Sequence, residues 1–76
     1  MREKIISILK EISPENDFKL EDNLIEDGIL DSFDIVTLVT SLDEEFGISI
    51  NGTDILPENF DTINSIEKLL HTYLNL

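Results

Sequence analysis

A helical repeat of apolar residues is the feature that most restricts how this chain of 76 residues can fold. Its clearest instance, residues 32–46, predicts an amphipathic α-helix whose apolar side chains fall within about 100° of arc: Ile35, Leu38, Val39, Leu42 and Phe46. Either Asp31 or Ser32 can cap its start, because both carry an oxygen that accepts a free N–H group of the first turn. Gly47 predicts its end, since glycine adopts the left-handed conformation without a steric penalty.

Two further helices are predicted near the two ends of the chain. Residues 2–12 place four apolar side chains on one face: Ile5, Ile8, Leu9 and Ile12. Pro14 predicts the end of this helix, because a proline pushes the preceding Ser13 out of the helical region. A last helix, capped by Asp61 or Thr62, has an apolar inner side formed by Ile63, Ile66, Leu69, Leu70 and Tyr73. The stretch "LPENF" before it allows one short helical turn.

The remaining segments predict loops. Residues 14–31 have no sustained period, yet their apolar residues should anchor the loop across the core: Phe18, Leu20, Leu24, Ile25, Ile29 and Leu30. We interpret Asn51-Gly52 as a loop turn, because the flanking runs are too short for a hairpin. With no cysteine, an apolar core must hold the fold without disulfides. The sequence therefore predicts one all-α domain over residues 1–76, a small bundle of three main helices plus one short helix, with a long first loop.

Acidic residues dominate the charge of the chain, with 17 Asp and Glu against five Lys and Arg and a formal net charge of −12. Residues 20–67 contain 13 acidic residues and no basic one. Such a surface repels nucleic acid and anionic membranes, favours partners with basic patches, and disfavours self-association, so we expect a monomer. No stretch resembles a leader or a membrane span, which favours a cytoplasmic protein without membrane insertion.

The outer face of the second helix predicts a docking surface around Ser32. Phe33 and Val36 lie well away from the apolar stripe, so we expect both side chains to be exposed beside this serine. The same face carries Thr40, Asp43 and Glu44. An exposed apolar pair surrounded by charge is typical of a surface that binds a partner.

Ser32 does not fit the pattern of a catalytic nucleophile or a metal ligand. A nucleophilic serine needs a base, and the single histidine, His71, lies near the end of the chain on the last helix. Leu30 and Asp34 occupy the glycine positions of the G-x-S-x-G motif. A calcium loop fails because Ile25 would stand at a ligand position. A helix start does favour a phosphate group, through its free N–H groups and the helix dipole.

The stretch "DGILDSFDIVTLVTSLDEEFGISI", residues 27–50, resembles the attachment segment of acyl carrier proteins. This resemblance implies that Ser32, preceded by Asp31, carries phosphopantetheine transferred from coenzyme A by a magnesium-dependent phosphopantetheinyl transferase. The arm would hold an acyl or aminoacyl group as a thioester, and the chain itself would catalyse nothing. Loading ligases or synthetases and acyl-transfer enzymes with basic patches would dock on Phe33, Asp34, Val36, Thr40, Asp43 and Glu44.

The cargo and one competing role are left open by the sequence. "ILPENFDTINSIEKLL", residues 55–70, is similar to D-alanyl carrier proteins of teichoic acid, although Phe60 and Ile63 depart from that pattern. Thr37 and Thr40 differ from the residues that fatty-acid carriers often have there. The cargo is therefore either a small group loaded by a dedicated ligase or a long fatty chain. The alternative is an acidic helical adaptor that binds a basic partner and takes no cofactor.

Overall fold

The computed structural model describes residues 1–76. Helices joined by loops make up the chain, and it has no β-strand. The helices are α1 (Arg2–Ile12), α2 (Ser32–Phe46), a 3₁₀ turn (Gly52–Asp54), α3 (Pro57–Phe60) and α4 (Ile63–Leu74). The predicted all-α bundle of three longer helices and one short one is confirmed, as is the long loop between α1 and α2. None of these helices is both long enough and apolar enough to cross a membrane.

The helix ends follow local chemistry. At the end of α1, Ser13 is the C-cap, directly before Pro14. At the end of α2, Gly47 adopts the left-handed conformation with φ of 64°, and its N–H donates to the Asp43 carbonyl. The start of α4 is capped by Thr62, whose hydroxyl accepts the Ser65 N–H at 3.0 Å. Of the two candidate caps for α4, Thr62 is therefore the correct one.

A single core forms where α1 packs against α2 and α4, with α3 packed against α4. It contains 15 buried hydrophobic residues, and the largest that are fully enclosed are Ile5, Leu9, Leu24, Leu38, Leu42, Phe60, Ile63, Ile66 and Leu70. The predicted apolar stripes face this core. Ile12, Phe46, Leu69 and Tyr73 lie at its edge and are only partly buried.

The loop between α1 and α2 crosses the core, with one correction to its predicted anchors. Phe18, Leu24 and Leu30 are buried, and Ile25 and Ile29 are partly buried against the core. The prediction for Leu20 was wrong, because 46% of this residue is exposed. It lies in a turn where the neighbouring Lys19 N–H donates to the Asp22 carboxylate, and this local bond holds the backbone without help from the leucine side chain.

Asp61 ties this loop to the junction of α3 and α4. Its carboxylate oxygen Oδ1 accepts the N–H groups of Ile25 and Glu26 at 3.1 and 3.3 Å, and its carbonyl accepts the Leu24 N–H. The residue considered as a helix cap thus connects two segments that are 35 or 36 positions apart. Hydrogen bonds to a charged acceptor are among the stronger polar interactions in a protein.

We expect Asp61→Ala to lower the free energy of unfolding by about 2 kcal/mol, because two backbone N–H groups lose a charged acceptor. Asp61→Asn keeps an oxygen at this position and should lose less. Asp17→Ala removes an exposed acid and should change stability by less than about 0.5 kcal/mol. Urea denaturation of the three variants measures the difference, and equal stability of the Asp61→Ala and Asp17→Ala variants would contradict the role of Asp61.

Candidate functional site

The start of α2 is held by a reciprocal pair of aspartates. Asp31 is the N-cap, and its Oδ1 accepts the Asp34 N–H at 2.8 Å. In return, Asp34 Oδ2 accepts the Asp31 N–H at 3.2 Å. This capping box satisfies two N–H groups that the helix itself leaves free. It fixes the residue at which the helix begins.

Ser32 follows the cap as the first residue of α2, and it is exposed. The structure thereby decides between the two candidate caps, because the capping oxygen belongs to Asp31. The bonds of the capping box use the side chains of Asp31 and Asp34 and leave the serine hydroxyl aside. Holding the helix start is therefore not what this hydroxyl does, and it is accessible for chemistry.

An apolar groove of about 370 Å³ opens beside Ser32. Three segments form it, namely the second half of the first loop, the first two turns of α2, and the residues that lead into and begin α3. Its lining is apolar except for Asp31 and Ser32, and comprises Ile25, Leu30, Asp31, Ser32, Ile35, Val36, Ile55, Leu56 and Pro57. A flexible organic chain attached to the Ser32 oxygen would have an apolar surface within immediate reach.

Sequence reasoning did not identify the wall of this groove that Ile55, Leu56 and Pro57 provide. Ile25 and Leu30 were expected only as anchors of the loop. A signal was present, because Ile55 and Leu56 form an apolar pair directly before a proline and after the polar stretch Asn51–Asp54. Both remain substantially exposed, at 37% and 43%.

The predicted exposure of the apolar pair on α2 is confirmed. Phe33 is 77% exposed and Val36 is 63% exposed. Val36 also lines the groove, so it connects the outer face of the helix with the surface around Ser32. Thr40 is exposed one turn further on, and its hydroxyl donates to the Val36 carbonyl at 3.1 Å.

The predicted docking acids have different surroundings. Asp34 belongs to the capping box, and Asp43 Oδ1 accepts the Ile50 N–H at 3.0 Å, which ties the next loop to α2. Both are partly buried, whereas Glu44 is exposed and lines a separate polar groove on the α1 side, together with Lys4. Eleven residues at 1.5 Å each place Asp43 roughly 17 Å along the helix from Ser32. The acids therefore do not form one cluster at the serine.

The loop before Ile55 and Leu56, which form one wall of the groove, is bound to α4 through Tyr73. Its hydroxyl donates to the Asp54 carboxylate and accepts the Asn51 N–H at 2.9 Å. The hydrogen bond with Asp54 raises the pKa of the Tyr73 hydroxyl above its ordinary value, and the Asn51 N–H acts in the opposite direction. Tyr73, predicted as a core residue, thus stands at the edge of the core with a polar function.

Comparison with known proteins adds a family and several relatives. The protein-family model described as "Phosphopantetheine attachment site" matches residues 1–70. Aminoacyl carrier protein 1 of Bradyrhizobium diazoefficiens is 32% identical over 78 residues, covering 97% of this chain and 86% of that protein. The D-alanyl carrier protein of Lactococcus lactis subsp. cremoris is 35% identical over 68 residues, covering 87% and 86%. That of Bacillus cereus is 35% identical over 72 residues, covering 91% and 90%.

The capping geometry predicts a larger loss of stability for one of two adjacent substitutions. Asp31→Ala should lower the free energy of unfolding by about 1 kcal/mol, because the Asp34 N–H loses its acceptor. Ser32→Ala should change it by less than about 0.5 kcal/mol, because the serine holds no part of the helix start. Thermal or urea unfolding of both variants gives the comparison. A loss for Ser32→Ala as large as that for Asp31→Ala would show that the hydroxyl is structural after all.

Proposed function

The chain belongs to the phosphopantetheine attachment site family, and we propose that Ser32 is the residue that carries its phosphopantetheine arm. Membership confirms the resemblance of residues 27–50 to carrier proteins and the covalent cofactor that it implied. The observation that supports Ser32 best is the division of roles at the start of α2. Asp31 caps the helix, so the neighbouring serine presents an unengaged hydroxyl at the edge of an apolar groove.

The surroundings of Ser32 suit a phosphodiester on its oxygen. The residue lies in the first turn of α2, where backbone N–H groups and the positive end of the helix dipole favour an anion. The adjacent groove is apolar and can contact the organic part of the arm. During attachment, the Ser32 oxygen would form a bond to phosphorus, the pyrophosphate bond of coenzyme A would break with release of adenosine 3′,5′-bisphosphate, and the serine proton would pass to a base of the transferase. The bound arm supplies a thiol that forms a thioester with the cargo.

We assign this chain a carrying role without catalysis of its own. The only ionisable side chain that lines the groove beside Ser32 is Asp31, and its Oδ1 already accepts the Asp34 N–H. His71 lies in the last turn of α4 and does not line the groove. A separate enzyme must therefore supply the base for attachment, and the carrier contributes an accessible hydroxyl and a tether that raises the local concentration of the cargo.

The cargo that we propose is a small aminoacyl group loaded by a dedicated ligase. Two observations favour it over a long fatty chain. The relatives reported above are named aminoacyl and D-alanyl carrier proteins. In addition, the core is filled by fully buried side chains, and the one mainly apolar cavity is the short surface groove beside Ser32.

Partner enzymes would dock on the outer face of α2. Phe33 and Val36 provide the exposed apolar contact, and Glu44 provides an exposed carboxylate for a basic patch. The phosphopantetheinyl transferase and the loading ligase are the expected partners. We propose that residues 1–76 act as one carrier domain and as a monomer, because strong like charge opposes self-association. Cytoplasmic coenzyme A would supply the arm.

Intact mass spectrometry after incubation with coenzyme A, magnesium and a broad-specificity phosphopantetheinyl transferase tests the attachment site. The wild type should gain one phosphopantetheine, and Ser32→Ala should gain none. Ser49→Ala removes another exposed serine and should be modified like the wild type. A mass gain in folded Ser32→Ala would exclude this serine as the site, and no gain in folded, unmodified wild type would favour the acidic adaptor.

The size of the cargo can be tested by attaching acyl-phosphopantetheine groups of increasing length to Ser32 and measuring melting temperatures. Each methylene buried in a protein interior contributes about 0.8 kcal/mol, so a buried long chain would strongly stabilise the fold. We expect acetyl and hexadecanoyl forms to melt within about 2 °C of each other. A melting temperature that rises steadily with chain length would instead show that the core opens to enclose a long fatty cargo.

A further inference from the structure

The wall of the groove formed by Ile55 and Leu56 lies outside the hydrophobic core. The two residues are 37% and 43% exposed, and the 3₁₀ turn before them contributes no buried residue. The nearest buried residues in the chain are Ile50 on one side and Phe60 on the other. Because neither residue belongs to the core or packs against it, polar contacts have a large share in determining where this wall stands.

Those polar contacts converge on Asp54. Its carboxylate accepts the Tyr73 hydroxyl, and its carbonyl accepts the Asn59 side-chain amide at 2.8 Å. The Tyr73 hydroxyl also accepts the Asn51 N–H, three residues before Asp54. One hydroxyl group on α4 thus fastens both ends of the 3₁₀ turn, and Ile55 and Leu56 follow directly after it.

The facing wall of the groove is held in a different way. Leu30 is buried, and the Ile25 N–H donates to the Asp61 carboxylate at 3.1 Å. This side is therefore anchored by the core as well as by a charged acceptor. On the Ile55–Leu56 side, the Asn59 bond to Asp54 is local, and the Tyr73 hydroxyl provides the side-chain hydrogen bonds to α4, so this is the side whose position a small change can alter.

We propose that Tyr73 is a positioning residue for the modification site: through Asp54, its hydroxyl sets the distance between the Ile55–Leu56 wall and the start of α2. This wall is part of the surface that a transferase contacts when it modifies Ser32. The inference rests on the proposed function of Ser32. It gives α4, the helix furthest along the chain from the serine, a direct part in the shape of the site.

Backbone hydrogen exchange in the unmodified protein tests the structural half of the proposal. The Ile55 and Leu56 N–H groups donate to the carbonyls of Gly52 and Asp54, so their exchange reports on the turn. In Tyr73→Phe we expect both to exchange about fivefold faster or more, with no change at Leu24 and Ile25. His71→Gln alters an exposed residue of the same helix and should leave all four rates unchanged.

Transferase kinetics test the functional half. Tyr73→Phe should raise the KM for the carrier about threefold or more with kcat unchanged, because a displaced wall weakens docking and leaves the serine chemistry intact. Asp54→Ala should also raise the KM, by no more than Tyr73→Phe does, because the Asn51 N–H bond to the tyrosine remains. Asp54→Asn, which keeps an acceptor for the tyrosine hydroxyl, should stay near the wild type. The double variant Tyr73→Phe with Asp54→Ala should be no worse than Tyr73→Phe alone, since loss of the hydroxyl already removes its bond to Asp54.

Unchanged exchange at Ile55 and Leu56 together with an unchanged KM in Tyr73→Phe would overturn the inference. An equal rise in KM for His71→Gln would also overturn it, because the effect would then belong to α4 in general. A Ser32→Ala variant that still gains phosphopantetheine would overturn the proposed function instead. The exchange rates would then still decide whether Tyr73 positions the Ile55–Leu56 wall. The two failures are therefore distinguishable.

Discussion

Hydrogen bonds from backbone N–H groups to aspartate side chains are the interaction on which the arrangement of this small domain depends. Fifteen buried residues hold the helices together, but much of the chain lies outside them. Six aspartates each accept a backbone N–H at a turn, a helix start or a contact between loops: Asp22, Asp27, Asp31, Asp34, Asp43 and Asp61. The short aspartate side chain reaches nearby backbone groups, as in turns and helix caps generally.

The sequence predicted the helices well, because their determinants are local. Apolar periodicity located α2, Gly47 ended it, and Pro14 ended α1, each for a reason that involves neighbouring residues only. The loops were less predictable. Leu20 was expected against the core and lies exposed, and Asp61 was expected as a possible cap and binds a loop 35 residues away. Such contacts depend on which segments the folded core brings together, and no local pattern encodes that.

The candidate site shows the same division between local and tertiary information. Residues near Ser32 in the sequence indicated an exposed serine with Phe33 and Val36 beside it, and their exposure is confirmed. The groove needed the structure, because its walls come from segments on either side of α2 in the chain. The tie between Tyr73 and Asp54 was also invisible in the sequence, where the tyrosine fits the apolar stripe of α4.

The structural use of aspartates changes how the acidic surface should be interpreted. The whole charge of −12 still acts at a distance and can steer a basic partner toward the carrier. A direct ion pair with a partner depends on each carboxylate separately. A carboxylate that already accepts backbone N–H groups has fewer oxygen lone pairs to offer to a lysine or arginine. Asp34 and Asp43 are engaged in this way and partly buried, whereas Glu44 is exposed. Of the three proposed docking acids, the glutamate is therefore the best placed for direct recognition, and the two aspartates hold α2 and the loop that follows it.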